Sequence, residues 1–314
     1  MLWQTLITIP AFPQRITYRT PVLFIGSCFA SNMGEAMRQR KFPVTINPFG
    51  AAYNPQSVVQ ALQRLRSGKP FEKKELVCCN GLWTTFSHHS SFSHPDAAVF
   101  LQQANDALRA GQDAFLHASF VVASLGTSWA YRHKEKNTIV ANCHKFPATD
   151  FERSFSPAEE TARLLAKEIA AEPARTWVLT VSPVRHWKDG AHGNQLSKAH
   201  LLLAIEQLQQ QFPNVRYFPA YEIMMDELRD YRFYDADMLH PSAQAVDYIW
   251  QRFSEAALDG ETTTIMHEAE KIIAAQQHRP LHENTTAHRK FLTDLHQKIQ
   301  DFSARYPFIP IVES

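Results

Sequence analysis

Three short apolar runs, with one further strand-like stretch, constrain this chain more than any other feature. The runs lie at Val22–Gly26, Ser119–Gly126 and Thr176–Ser182 and the fourth strand at Val215–Pro219, and segments of helical length separate them. Continuous apolarity, rather than strict alternation, marks strands buried on both faces, the pattern of a parallel sheet with helices packed above and below. The expected fold class is α/β: a three-layer α/β/α sandwich around a doubly wound, mainly parallel sheet, with C-terminal helices.

Between these runs the local signals are of ordinary kinds. Residues 2–9 alternate as an edge strand would and end at Pro10 and Pro13, and Val44-Thr45-Ile46 forms a short extended piece closed by Asn47-Pro48-Phe49-Gly50. Helices are expected at 55–66, 96–110 and 195–211, with a further one opened by a cap at Ser156-Pro157-Ala158-Glu159. The stretch 71–95 reads as a hairpin or excursion, and Asn142-Cys143-His144-Lys145 lies in a loop or small hairpin. Beyond about residue 258 the pattern turns to polar helices, 263–277 and 285–305, divided at Arg279-Pro280. The expected organisation is therefore a catalytic domain over 1–258 and a helical appendage over 259–314, which either covers the site or serves a homodimer.

With 314 residues and a formal charge of +1, the chain can bury one large core and has no electrostatic reason to bind nucleic acid. The N-terminus lacks the basic start and long apolar stretch of a secretory signal, and no run reaches membrane-spanning length. A cytoplasmic protein without a membrane partner is the expectation. Four cysteines, Cys28, Cys78, Cys79 and Cys143, are too few and too irregular for a disulfide framework or a zinc module. His88, His89, His94 and His144 match no metal spacing, so neither a metal nor another cofactor is expected.

In an open parallel sheet, ligands gather beyond the C-terminal ends of the strands. Polar clusters fall at such ends here: Gly26-Ser27, Asn47 to Gly50, Gly126-Thr127-Ser128 and Ser182-Pro183-Val184-Arg185-His186. Ser27 sits where a strand turns into a helix, a position that favours developing negative charge. Taken alone it is equally well explained as the cap of that helix. Cys28, one step inside, is expected to point at the core. A fifth cluster, Asp237-Met238-Leu239-His240-Pro241-Ser242, spaces a carboxylate and an imidazole three residues apart, so that Asp237 can hold His240 while its other ring nitrogen faces outward. A serine hydroxyl needs such a base to become a nucleophile, and Ser27, Asp237 and His240 fit the order of a Ser-Asp-His triad. The plain alternative makes Asp237 and His240 a helix entry and nothing more. Arg185 suits a substrate carboxylate or phosphate, or else a structural acid. Trp83, Trp129 and Trp187 suit a sugar or acyl cleft, or else packing.

Ile25-Gly26-Ser27-Cys28-Phe29-Ala30 resembles the signature of the GSCFA domain family, which is similar to a branch of the SGNH (GDSL-type) hydrolases. The resemblance extends through Asn47 to Gly50, Leu125 to Trp129, Asn142 to Lys145, Ser182 to His186 and Asp237 to Ser242, covering about residues 20–255. It implies a flavodoxin-like SGNH fold and gives Ser27 the role of nucleophile, His240 that of base and Asp237 that of orienting acid. It further implies an oxyanion hole made by the amides of Ser27 and Gly50 and a third, asparagine donor. This sequence carries Gly126-Thr127-Ser128 where the superfamily has Gly-x-Asn, which leaves Asn142 or Asn54 for that donor. Asn54, Thr127, His89 and Arg185 are the expected substrate contacts.

The implied activity is removal of an O-acyl group, such as acetyl, from a carbohydrate or small metabolite, without a cofactor. An acyltransferase using the same three residues is one alternative. A non-catalytic binding domain with a degraded oxyanion hole is the other, since loss of one oxyanion donor typically costs about a hundredfold or more in rate.

Overall fold

A computed structural model of the chain describes residues 4–279 and 285–311. Its centre is a sheet of five strands: β1 (Val22–Gly26), β2 (Val44–Ile46), β5 (Phe120–Leu125), β9 (Thr176–Val181) and β10 (Val215–Phe218). They lie in the spatial order β10-β9-β5-β1-β2, and every neighbouring pair is parallel. This is the flavodoxin-like order, whose winding reverses between β1 and β5 and opens a crevice there.

Each long strand sends alternate residues into two separate cores. On β1, Val22 and Phe24 join one core with Phe29, Met33 and Met37 of α1 (Cys28–Gln39). Leu23 and Ile25 join the other, with Leu62 of α2 (Pro55–Ser67) and Phe100 of α3 (Ala97–His117). That second core also holds Leu165 of α4 (Ala158–Ala170) and Leu201 of α5 (Gly190–Gln211), so four helices cover one face of the sheet. The expected three layers and doubly wound sheet are what the chain adopts. The α4 start differs in one detail: Pro157 occupies the cap position without a side-chain hydrogen bond, because the Ser156 hydroxyl accepts Gln56 Nε2 instead (3.0 Å).

Two small antiparallel sheets stand outside the main one. β3 (Val77–Cys79) and β4 (Leu82–Thr84) form the hairpin expected within 71–95, turned by Asn80-Gly81, both at positive φ. β6 (Trp129–His133), β7 (Thr138–Val140) and β8 (Phe151–Phe155) make a three-stranded sheet rising from the end of β5.

After β10, a one-turn helix α6 (Ala220–Glu222) runs into a π-helical turn, Ile223–Glu227, and then the loop that carries Asp237 and His240. α7 (Ala243–Ala257) follows, and Asp259 caps α8 (Gly260–Gln276) by accepting the Thr262 amide at 2.7 Å. α9 (Thr286–Arg305) packs against α8. Ile265, Met266 and Ile272 of α8 and Leu295, Ile299 and Phe302 of α9 belong to the same core as Phe24 and α1. The C-terminal helices thus extend the layer built by α1 and α7.

The expected edge strand does not form over residues 4–9, and residues 2 and 3 lie outside the described residues. A buried carboxylate takes the backbone donor that a strand would have used. Glu227 Oε1 accepts the Ile7 amide at 2.7 Å, its other oxygen accepts Tyr248 Oη at 2.6 Å, and Arg252 bridges Glu227 and the Ile7 carbonyl. Among the described residues no helix is long and apolar enough to cross a membrane.

Candidate active site

The turn from β1 into α1 is built around Gly26. Its φ is +124°, a region few side chains tolerate, and a Cβ there would lie 2.1 Å from the Ser124 carbonyl oxygen. Asn47, at the end of β2, fixes this turn by accepting the Gly26 amide with Oδ1 (2.8 Å) and donating Nδ2 to Ser31 Oγ (2.8 Å). Ser27 follows at the cap position of α1, yet its side chain caps nothing. Its hydroxyl shares a 2.8 Å hydrogen bond with Ser124 Oγ, and the residue as a whole is 1% exposed. The cap explanation of Ser27 therefore fails on geometry.

A cavity of about 470 Å³ opens above these strand ends. It brings together Ser27, Asn54, Thr127, Asn142, Arg185 and His240, residues spread over more than two-thirds of the chain. Trp129 and Tyr131 of the small sheet also line it, as does Trp187. Trp83 and His89 are not in its lining. Among the described residues none beyond His240 lines it, so the described parts of the C-terminal helices do not cover this site.

Asp237 and His240 meet in the turn before α7. Asp237 Oδ2 lies 2.6 Å from His240 Nδ1, and Asp237 Oδ1 accepts the amides of Leu239 and His240 at 2.9 Å each. These two amides and the imidazole hold the Asp237 carboxyl down at about 2, so it is ionised at neutral pH. Neither residue is a helix cap, since Ser242 caps α7. With Nδ1 engaged, His240 has Nε2 left to present to the cavity. In this resting arrangement Ser27 Oγ is bonded to Ser124, not to His240.

The expected oxyanion donors fare unequally. The Ser27 amide donates to the Ser124 carbonyl (2.9 Å) and the Gly50 amide to the Asn47 carbonyl (2.7 Å), so the secondary structure already uses both. Gly50 lies outside the cavity, packed on His89 so closely that a Cβ would sit 2.2 Å from the histidine's own. Asn142 lines the cavity but is tied at both ends: Nδ2 donates to Ser90 Oγ (3.1 Å) and Oδ1 accepts the His144 amide (2.9 Å). Asn54 is the better placed of the two asparagines. Its Oδ1 accepts the Ser57 amide at the start of α2 (2.8 Å), which fixes the side chain and leaves Nδ2 without a partner among the described residues.

Other groups were not singled out by sequence. Lys198, fully buried on α5, donates to the carbonyls of Gly126 and Ser182, 2.7 Å each, and so joins the ends of β5 and β9 from below. Burial, with a smaller contribution from the Arg185 charge, lowers its pKa to about 7. Asn194, Lys198, Leu201 and Ile205 are spaced along one buried face of α5, and a lysine in that row is the signal that sequence offers. Ser124, the β5 partner of Gly26, is likewise a lone polar residue in an apolar run.

His186 also lines the cavity, and burial lowers its pKa to about 4, which keeps it neutral. Cys28 does not point at the core. It lines the cavity, and burial pushes its thiol pKa up despite the nearby Phe29 and Cys28 amides, so a thiolate is disfavoured. His88 is buried among Phe49, Phe71, Phe92 and Phe100. Among the described residues no group of three or more His, Cys, Asp or Glu side chains is arranged to hold a metal.

Fold and site together define a doubly wound α/β protein whose switch-point crevice opens on a serine and a carboxylate-held histidine. The chain belongs to the GSCFA family, whose model matches residues 21–253, and the C-terminal domain of GSCFA domain proteins matches residues 269–313. No curated protein sequence matches. Among solved structures, one described as "a putative platelet activating factor from Streptococcus pneumonia" is similar at 12% identity and a TM-score of 0.36, covering 74% of this chain and 83% of its own.

Proposed function

We propose that the chain is a serine hydrolase of the SGNH type that removes an O-acyl group, such as acetyl, from a carbohydrate or small metabolite. The observation that carries this reading is the convergence of Ser27 and His240 on one cavity, with Asp237 locked onto the far nitrogen of the imidazole. Ser27 Oγ rotates from Ser124 toward His240 Nε2, transfers its proton there and attacks the ester carbonyl. Asn54 Nδ2 donates to the oxyanion. The alkoxide leaves with the proton from His240, and water, deprotonated by the same imidazole, releases the acid from Ser27. Asp237 stays ionised throughout and stabilises the imidazolium.

The resting bond from Ser27 to Ser124 favours a second reading, a binding domain that no longer turns over. A fluorophosphonate probe separates the two, because it reacts only with an activated serine. Labelling of the wild type, absent in Ser27→Ala and weakened in Asp237→Asn, is expected. A folded wild type that takes no label, or label that persists in Ser27→Ala, overturns the hydrolase.

A further inference from the structure

Arg185 stands between two cavities. It lines the site cavity and also an adjoining groove of about 490 Å³, walled by Met224, Leu228, Tyr234, Met238 and Leu239 and so mostly apolar. Its amide donates to the Leu239 carbonyl at 3.3 Å, which fastens this residue to the very turn that carries Asp237 and His240. The guanidinium lies over Trp187, 5.5 Å from the ring centroid, and its buried Nε has no hydrogen-bond partner.

Of the cavity's other charged side chains, Arg153 is paired with Asp189, and Lys188 donates to the neutral Tyr131 Oη at 2.7 Å. Asp237, which lines the adjoining groove, is engaged by His240. Among the described residues Arg185 has no carboxylate within ion-pair distance. Burying part of a guanidinium without a partner costs stability, and an arginine fork matches the two oxygens of a carboxylate or phosphate. The cavity that Ser27 lines therefore carries an uncompensated fork.

We propose that the substrate is an anionic ester, with a carboxylate or phosphate held by Arg185 close to the scissile bond and an apolar portion lying in the adjoining groove. This rests on the hydrolase reading for the word ester, but the anion site can be tested without turnover. Calorimetry would compare para-acetamidobenzoate, a non-hydrolysable carboxylate, with neutral para-acetamidobenzamide. The wild type should prefer the carboxylate by about tenfold to a hundredfold, as a charge-assisted bond implies. Arg185→Gln should abolish the preference, and Arg185→Lys should retain part of it, with thermal melting showing that both variants fold.

Hydrolysis of para-acetoxybenzoate, para-acetoxyphenyl phosphate and para-acetoxybenzamide gives the kinetic counterpart. The two anions should be favoured through KM rather than kcat, and which of them is favoured more identifies the headgroup. Equal binding of the neutral and anionic ligands, a preference that survives Arg185→Gln, or no binding of the carboxylate to folded wild type overturns the proposal. Arg185-dependent binding without hydrolysis of any ester would instead overturn the hydrolase reading and leave the anion site standing.

Discussion

Lys198 is the residue whose replacement yields the most quantitative consequence. Lys198→Met keeps a long apolar stem and removes the buried charge. One effect is independent of pH: the Gly126 and Ser182 carbonyls lose their donor, at about 1–3 kcal/mol for each group left unsatisfied. The other depends on pH. Burial sets the lysine's pKa at about 7, against 10.5 for the exposed group. Below pH 7 both native and unfolded chains hold the proton, and the full penalty of the buried charge falls on the native state. Between 7 and 10.5 the unfolded chain binds more protons than the native one, so stability rises with pH, and above that window the penalty is gone. A gap of about 3.5 units at about 1.36 kcal/mol each comes to about 5 kcal/mol, of which roughly half falls between pH 7 and 9.

Urea unfolding of wild type and Lys198→Met at a series of pH values measures this directly. Groups that titrate in both proteins cancel, so the stability of the wild type relative to the variant should climb by about 2 kcal/mol over that interval. A difference that stays flat with pH refutes the claim that burial lowers the pKa of Lys198.

Two other perturbations address the site's construction. Asn54→Asp keeps an oxygen to cap α2 but removes the amide donor, and should lower kcat on an acetyl ester by about a hundredfold to a thousandfold, whereas Asn142→Ala should change it far less. Gly26→Ala forces a side chain into an unfavourable φ and against the Ser124 carbonyl, and should cost more than about 3 kcal/mol in chemical denaturation. A variant that melts like the wild type would show that the β1–α1 turn is less constrained than its geometry implies.

What could be read from sequence was what periodicity and strand ends dictate. The runs at β1, β5 and β9 are apolar because two cores claim their alternate residues, so their pattern betrayed a parallel sheet directly. Asp237 and His240 are close in sequence, and their contact needs only a local turn. The state of the amides expected to hold an oxyanion was opaque, because a backbone amide looks the same in sequence whether it is free or already bonded. The amides of Ser27 and Gly50 are spent on carbonyls whose positions only the assembled sheet and turns define. The sheet β6–β8 escaped notice because its strands are short and partly exposed, without a continuous apolar run. The N-terminal segment misled in the opposite way, since alternation suggested a strand where a distant carboxylate supplies the hydrogen bond.

That carboxylate, Glu227, bears on how the protein can be cut. It binds the Ile7 amide on one side and Tyr248 and Arg252 of α7 on the other, and α7 begins just after the turn holding His240. Phe12, Ile16 and Tyr18 also belong to the core, although the family match begins only at residue 21. Trimming an expression clone to the family boundary would therefore strip three core side chains and one partner of a buried anion. The damage would surface more than two hundred residues away, in the helix that follows the turn of Asp237 and His240.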